Sequence, residues 1–211
     1  MRWEKEWIET TVKLDSRLEC PCIVYRGERL PPILFLHGYS FKGRTWATTS
    51  VFQLLVKENH GFAAPDMPYG KSTGCTAKRV RDLELNLQVA RRVVKECLDG
   101  RDPIVVGASL GGRVALHYAL RYPVRGLLLL SPYVVGDEEV VQLSSRLRGV
   151  PAIIVMGERD FVPHDILEDL ANKMGAEFRV YPGAGHAMYL DKPDLFKEDL
   201  LRLLERTRKK G

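Results

Sequence analysis

Apolar residues along the chain follow two rhythms. Residues 7–14 alternate apolar and polar, the pattern of an edge strand, and residues 20–26 read as a second strand of antiparallel type. A turn through Gly27 and Leu30-Pro31-Pro32 is expected next. Residues 33–36 are then continuously apolar, as in a strand buried on both faces. Further strands are expected at 62–66, 103–108, 126–131, 152–156 and 177–181. Between them the apolar residues recur at helical spacing, over 46–58, 78–98, from just after Ser109 to 121, and 163–174. Pro193 opens a last helix with Leu195, Phe196, Leu200, Leu203 and Leu204 on its inner face. Strands alternating with helices imply an α/β fold, a mostly parallel sheet with helices on both faces.

One strand breaks in a telling way. After Ile104-Val105-Val106 comes Gly107-Ala108-Ser109-Leu110-Gly111, and then a helical run. G-x-S-x-G between strand and helix puts the serine on a sharp turn with its hydroxyl above the sheet. Gly107 and Gly111 are small because strand and helix pass close together there, and the Leu110 N–H faces the space beside the hydroxyl. Two further reactive residues lie at or beyond strand ends: Asp160 in Gly157-Glu158-Arg159-Asp160, and His186 in Gly183-Ala184-Gly185-His186. The chain order Ser, Asp, His suits a nucleophile, a group that orients the base, and the base itself. Each has a plainer reading: Ser109 as a helix N-terminal serine, Asp160 as a helix cap, His186 as a surface loop residue. Glu158 is the rival acid.

Together these residues resemble an α/β-hydrolase-fold serine hydrolase. The resemblance covers nearly the whole chain: His37-Gly38 after the third strand, G-x-S-x-G, Gly157-Glu158-Arg159-Asp160 and Gly185-His186. More narrowly, His37-Gly38-Tyr39-Ser40-Phe41 with Thr45-Trp46, and residues 185–193, are similar to the small lidless α/β-hydrolase domain 14 subgroup. The nucleophile turn keeps both glycines of the general pattern, which that subgroup replaces. The resemblance implies a mostly parallel eight-stranded sheet in a single domain over residues 1–211. It also implies a second oxyanion donor, the Tyr39 N–H, with His37 holding the loop. Many members of this fold carry a cap domain after the strand ending at Ser131. Here only one short helix, about 138–147, fits before Pro151, so little or no cap is expected. The expected substrate pocket comprises Phe41, Tyr133, Val134, Phe161 and Met188, an apolar set suited to an acyl or aromatic group.

The resulting reading is a cofactor-free serine hydrolase, a carboxylesterase acting on small acyl esters. Two alternatives stand beside it: a catalytically idle protein that holds a ligand in the crevice, and a cofactor-free perhydrolase or acyltransferase on the same triad. Composition adds little. The chain has 211 residues, 45% hydrophobic and 28% charged, with net charge +5. The basic tail Arg206-Thr207-Arg208-Lys209-Lys210 reads as a solvated helix end suited to the helix dipole. No basic stripe or aromatic platform points to nucleic acid. No apolar run is long enough for a membrane helix, and the N-terminus lacks the features of a signal peptide. A cytoplasmic protein with a small-molecule substrate is therefore expected, its oligomeric state unspecified. Cys20, Cys22, Cys75 and Cys97 are read as reduced, partly buried thiols, with a disulfide such as Cys75–Cys97 left open. Scarce asparagine and glutamine with abundant arginine lean toward a thermophilic composition. Asp66 is expected to brace a loop, and Arg44 to lie in solvent or face the crevice. His60, His117 and His164 are expected in solvent or packing roles, His164 near enough to Asp160 to line the site.

Overall fold

A computed structural model describes residues 7–208. Eight strands form one sheet: β1 (Ile8–Lys13), β2 (Glu19–Tyr25), β3 (Arg29–Leu36), β4 (His60–Pro65), β5 (Ile104–Ala108), β6 (Gly126–Leu130), β7 (Ala152–Gly157) and β8 (Glu177–Tyr181). Their order is β1-β2-β4-β3-β5-β6-β7-β8. The pairs β1/β2 and β2/β4 are antiparallel, and all others are parallel. The helices are α1 (Val51–Lys57), α2 (Leu83–Cys97), α3 (Leu110–Arg121), α4 (Glu138–Leu143), α5 (His164–Met174), α6 (Met188–Asp191) and α7 (Pro193–Arg208).

Alternate strand residues feed two cores on opposite faces of the sheet, because successive side chains in a strand point opposite ways. Leu34, Leu36, Val105, Leu127 and Ile154 pack toward α2, α3 and α5. Ile33, Phe35, Val106, Leu128 and Ile153 pack toward α1 and α7. That is why residues 33–36 of β3, and β5, β6 and β7, read as apolar runs. β1 lies at an edge, and only its Val12 is buried.

Four local expectations need correction. Leu30-Pro31-Pro32 is not a turn but part of β3, where the pairing with β4 shifts register between Arg29 and Ile33. The helix expected over 46–58 is split into a 3₁₀ segment, Gly43–Thr49, and α1, because Ser50 between them takes a left-handed conformation with φ 58°. Helix α2 begins at Leu83 rather than Lys78, since Asp82 caps it by accepting a hydrogen bond from the Leu85 N–H at 3.0 Å. The cysteines are not all reduced: Cys20 of β2 is bonded to Cys75, while Cys22 and Cys97 are free and buried. The pairing Cys75–Cys97 therefore does not occur.

The C-terminal helix is less solvated than its charge implies. Arg206 bonds Glu177, and Arg208 Nη2 lies 3.0 Å from His60 Nε2. Lys209 and Lys210 lie outside the described residues. Only α4 and a short 3₁₀ turn, Ser144–Leu147, occupy the stretch after β6. Among the described residues, no helix is long and apolar enough to cross a membrane.

Candidate active site

Ser109 joins β5 to α3 with φ 52° and ψ −115°. That conformation is costly for a residue with a side chain. It is held from several sides. The Ser109 N–H donates to the Leu130 carbonyl at 2.9 Å, and its own carbonyl accepts from the N–H groups of Gly112 and Tyr133, each at 3.0 Å. The flanking glycines allow the close crossing. A Cβ on Gly107 would sit 2.6 Å from the Gly111 carbonyl oxygen, and one on Gly111 would collide with the Leu36 carbonyl. Ser109 itself is half-buried, so its hydroxyl is reachable.

His186 follows β8 in a loop pinned by Asp191, whose Oδ2 accepts the Gly185 N–H at 2.8 Å. His186 Nδ1 lies 2.8 Å from Asp160 Oδ1. The Asp160 side chain is fully buried. Burial alone would raise its pKa, but hydrogen bonds from His186, Ser131 and the Val162 N–H outweigh burial and hold it below the usual carboxylate value. An ionised carboxylate only accepts hydrogen bonds, so Nδ1 carries the proton and Nε2 is left as the basic nitrogen. Glu158 points elsewhere, accepting the Gly183 N–H at 2.7 Å. Ser131 was not legible as a site residue. It follows β6 directly with φ 44°, and its hydroxyl donates to Asp160 Oδ2.

A serine nucleophile needs its base within hydrogen-bond reach, but among the described residues no hydrogen bond joins Ser109 to His186. Such contacts are often long in the free form of an enzyme and tighten around substrate.

The loop after β3 is built around His37. Its Nδ1–H donates to the Gly38 carbonyl, and its Nε2 accepts the Met67 N–H, both at 2.8 Å. The Tyr69 hydroxyl donates to the His37 carbonyl at 2.6 Å, and the Lys71 N–H to the Tyr39 carbonyl at 2.7 Å. His37 is fully buried, and burial pushes its pKa down, so it stays neutral. Gly38 lies against the nucleophile turn, where an added Cβ would be 3.5 Å from the Ser109 Cβ. The N–H groups of Tyr39 and Leu110 take part in none of the hydrogen bonds of the described residues. Two unpartnered donors beside the half-buried serine are what an oxyanion requires. Asp66 braces the neighbouring loops as expected, accepting the N–H groups of Gly43 at 2.7 Å and Gly74 at 2.6 Å.

A cleft of about 370 Å³ opens at Ser109, lined by Tyr39, Tyr69, Leu83, Asn86, Leu110, Val114 and Tyr133, and by Arg81 and Arg113. Of the expected pocket set only Tyr133 lines it. Val134 and Met188 are buried in the two cores. Phe41 packs edge-on against Tyr189, 6.3 Å between ring centroids. Phe161 is 69% exposed and lies over the His186 ring, 4.2 Å between centroids. These residues were expected from proximity in sequence to the reactive loops, whereas the cleft wall comes from α3 and from the segment leading into α2. Arg44 faces away and pairs with Glu9. His164 does not line the cleft; its ring packs against Phe178 at 5.0 Å. His60 and His117 are buried, His117 Nε2 lying 2.7 Å from Asp137 Oδ2. Among the described residues, no group of three or more His, Cys, Asp or Glu side chains is placed to hold a metal ion.

Known proteins share both the sequence pattern and the architecture. Mouse ABHD14A is 27% identical over 176 residues, covering 82% of this chain and 70% of that protein. ABHD14B of Pongo abelii, provisionally named a protein-lysine deacylase, is 28% identical over 176 residues, covering 82% of each. A predicted CIB-like hydrolase from Thermoplasma acidophilum shares the fold with a TM-score of 0.82 at 23% identity, covering 95% of this chain and 98% of that one. The model of the alpha/beta hydrolase family matches residues 33–149, the stretch that carries the His37 loop, β5, the Ser109 turn and α3. With that match spanning more than half of the sequence, and with the sheet order and strand-end loops described above, this chain belongs to the alpha/beta hydrolase family.

Proposed function

We propose that this protein is a serine hydrolase that cleaves small acyl esters through Ser109, His186 and Asp160. The observation that carries the reading is the ionised, buried Asp160 hydrogen-bonded to His186 Nδ1, with two unpartnered N–H donors beside a strained serine. Ser109 Oγ attacks the acyl carbonyl carbon, and its proton passes to His186 Nε2. Asp160 keeps the imidazole in the required tautomer and stabilises the imidazolium. The Tyr39 and Leu110 N–H groups hold the oxyanion, an effect worth ~10²–10³ in turnover per donor. His186 then protonates the leaving alcohol. Water, activated by the same imidazole, releases the acid and frees Ser109.

The same steps serve an amide or thioester. The name of ABHD14B favours a second reading, acyl transfer from an acylated lysine, which uses an amide in place of the ester. Tyr39 and Tyr133, which line the cleft, are exposed large side chains, which is compatible with either substrate. Turnover of p-nitrophenyl esters of increasing acyl length, with Ser109→Ala alongside, tests the ester reading. Activity lost in the variant supports it. Activity retained by Ser109→Ala, or none in the parent on any ester, contradicts it.

A further inference from the structure

The walls of the cleft carry a charge that an ordinary esterase pocket does not need. Arg81 and Arg113 both line it, and no Asp or Glu does. Arg113 projects from the first turns of α3, four residues after Ser109. Its Nε donates to Asp137 Oδ2 at 2.5 Å, and among the described residues neither of its two amino groups has a hydrogen-bond partner. Asp137 is itself fixed: buried, bonded to His117, and accepting the Val140 N–H at 3.1 Å as the cap of α4. One edge of the Arg113 guanidinium is therefore anchored and the rest is left to a ligand. Asp137 offsets much of the Arg113 charge. Arg81 is different. It lies on the segment before α2, is exposed, and among the described residues forms no hydrogen bond or ion pair. Its neighbour Asp82 is occupied in capping α2. The cleft at the serine thus carries an uncompensated positive charge and a second, anchored and partly free guanidinium.

Resting on the hydrolase reading above, we propose that the substrate carries a carboxylate, bound between Arg81 and Arg113 while its ester carbonyl lies at Ser109. A planar guanidinium with free amino groups matches a carboxylate in two parallel hydrogen bonds, which a point charge cannot do. The carboxylate belongs either to the acyl chain or to the leaving group, and the chemistry of recognition is the same for both. Of the remaining wall, Leu83, Val114, Tyr69 and Tyr133 are apolar or aromatic and accommodate a short carbon chain, and Asn86 adds one neutral polar group.

The test compares kcat/KM for matched ester pairs. One pair puts the charge on the acyl side, the 4-nitrophenyl monoester of glutaric acid against 4-nitrophenyl valerate. The other puts it on the leaving group, 4-acetoxybenzoate against its methyl ester. A preference for the charged member of one pair of about twofold to fivefold is expected, the scale of a solvent-exposed charge pair, and the pair that shows it locates the carboxylate. Arg81→Gln should lower the charged-to-neutral ratio and Arg81→Glu should invert it. Arg81 is exposed and unpartnered, so both variants keep the fold. Raising ionic strength should shrink the preference in the parent protein. Neutral esters turned over as fast as their charged partners in both pairs, or a ratio unmoved by either Arg81 variant, overturns the inference and leaves the hydrolase reading standing. No turnover of any of the four esters, with no labelling of Ser109 by a fluorophosphonate, overturns both.

Discussion

The Ser131 hydroxyl donates to Asp160 Oδ2, so the carboxylate that binds His186 is itself held from the end of the adjacent strand. β6 and β7 are neighbours in the sheet, and Ser131 and Asp160 lie just beyond their C-terminal ends. A parallel sheet places these ends side by side, which is where ligand crevices form in this class of fold.

Ser131→Ala should therefore act on the candidate site at a distance from any substrate. Asp160 loses a donor while its side chain stays buried, so its pKa should move back up toward the ordinary carboxylate value. Stability should fall by about 1.5–3 kcal/mol, the range for a hydrogen bond to a charged group. Turnover should drop roughly threefold to tenfold with KM little changed, because the orientation of His186 is loosened rather than the cleft altered. Urea unfolding and ester kinetics check both halves. An unchanged kcat would show that Asp160 is held without Ser131.

The disulfide should matter for the site as well as for the fold. Cys20 and Cys75 are 55 residues apart, and a loop of that size stabilises by roughly 4 kcal/mol through the unfolded chain. The bond also closes the segment that carries Met67, Tyr69 and Lys71, which together brace the His37–Tyr39 loop. The double variant Cys20→Ser, Cys75→Ser should unfold at clearly lower urea. It should also turn over ester more slowly, since the Tyr39 N–H is no longer held in place. Equal stability with and without reductant would contradict the pairing.

Stability should fall as the solution is acidified, beginning well above the carboxylate range. Burial lowers the pKa of His37 and of His60 in the folded protein. Unfolded histidines take up protons near pH 6.5. Below that value the unfolded state binds more protons than the folded one, so acid favours unfolding. The contribution is fully present above about pH 6.5 and is lost as pH falls toward the lowered folded values. Urea midpoints at pH 7.5, 6 and 5 should decrease in that order. A midpoint that rises on acidification would contradict the buried, neutral state of His37.

Much of the fold was legible because β5, β6, β7 and residues 33–36 of β3 are buried on both faces and so appear as apolar runs. The helix boundaries were less so. Asp82 begins α2 because its side chain meets the Leu85 N–H, a local choice that the apolar spacing from Val80 onward conceals. Ser109, Asp160 and His186 could be picked out because each sits at or just after a strand end, where sequence order maps onto one edge of the sheet. The cleft could not be read the same way. Arg81 is a loop residue and Arg113 a helix residue, and only the packing of α2 and α3 brings them to one cavity. Val134 and Met188, chosen for their nearness in sequence to the reactive loops, turn inward. Cys20 and Cys75 meet because the loop after β4 folds back over β2, a contact that spacing along the chain does not encode.

Covalent labelling tests whether Ser109 is a nucleophile activated by His186. The folded protein is treated with a serine-directed fluorophosphonate, digested and read by mass spectrometry. A single adduct is expected on the peptide carrying Ser109, abolished by Ser109→Ala and strongly slowed by His186→Ala. A folded protein that takes up no label, or labels equally after either substitution, would contradict it.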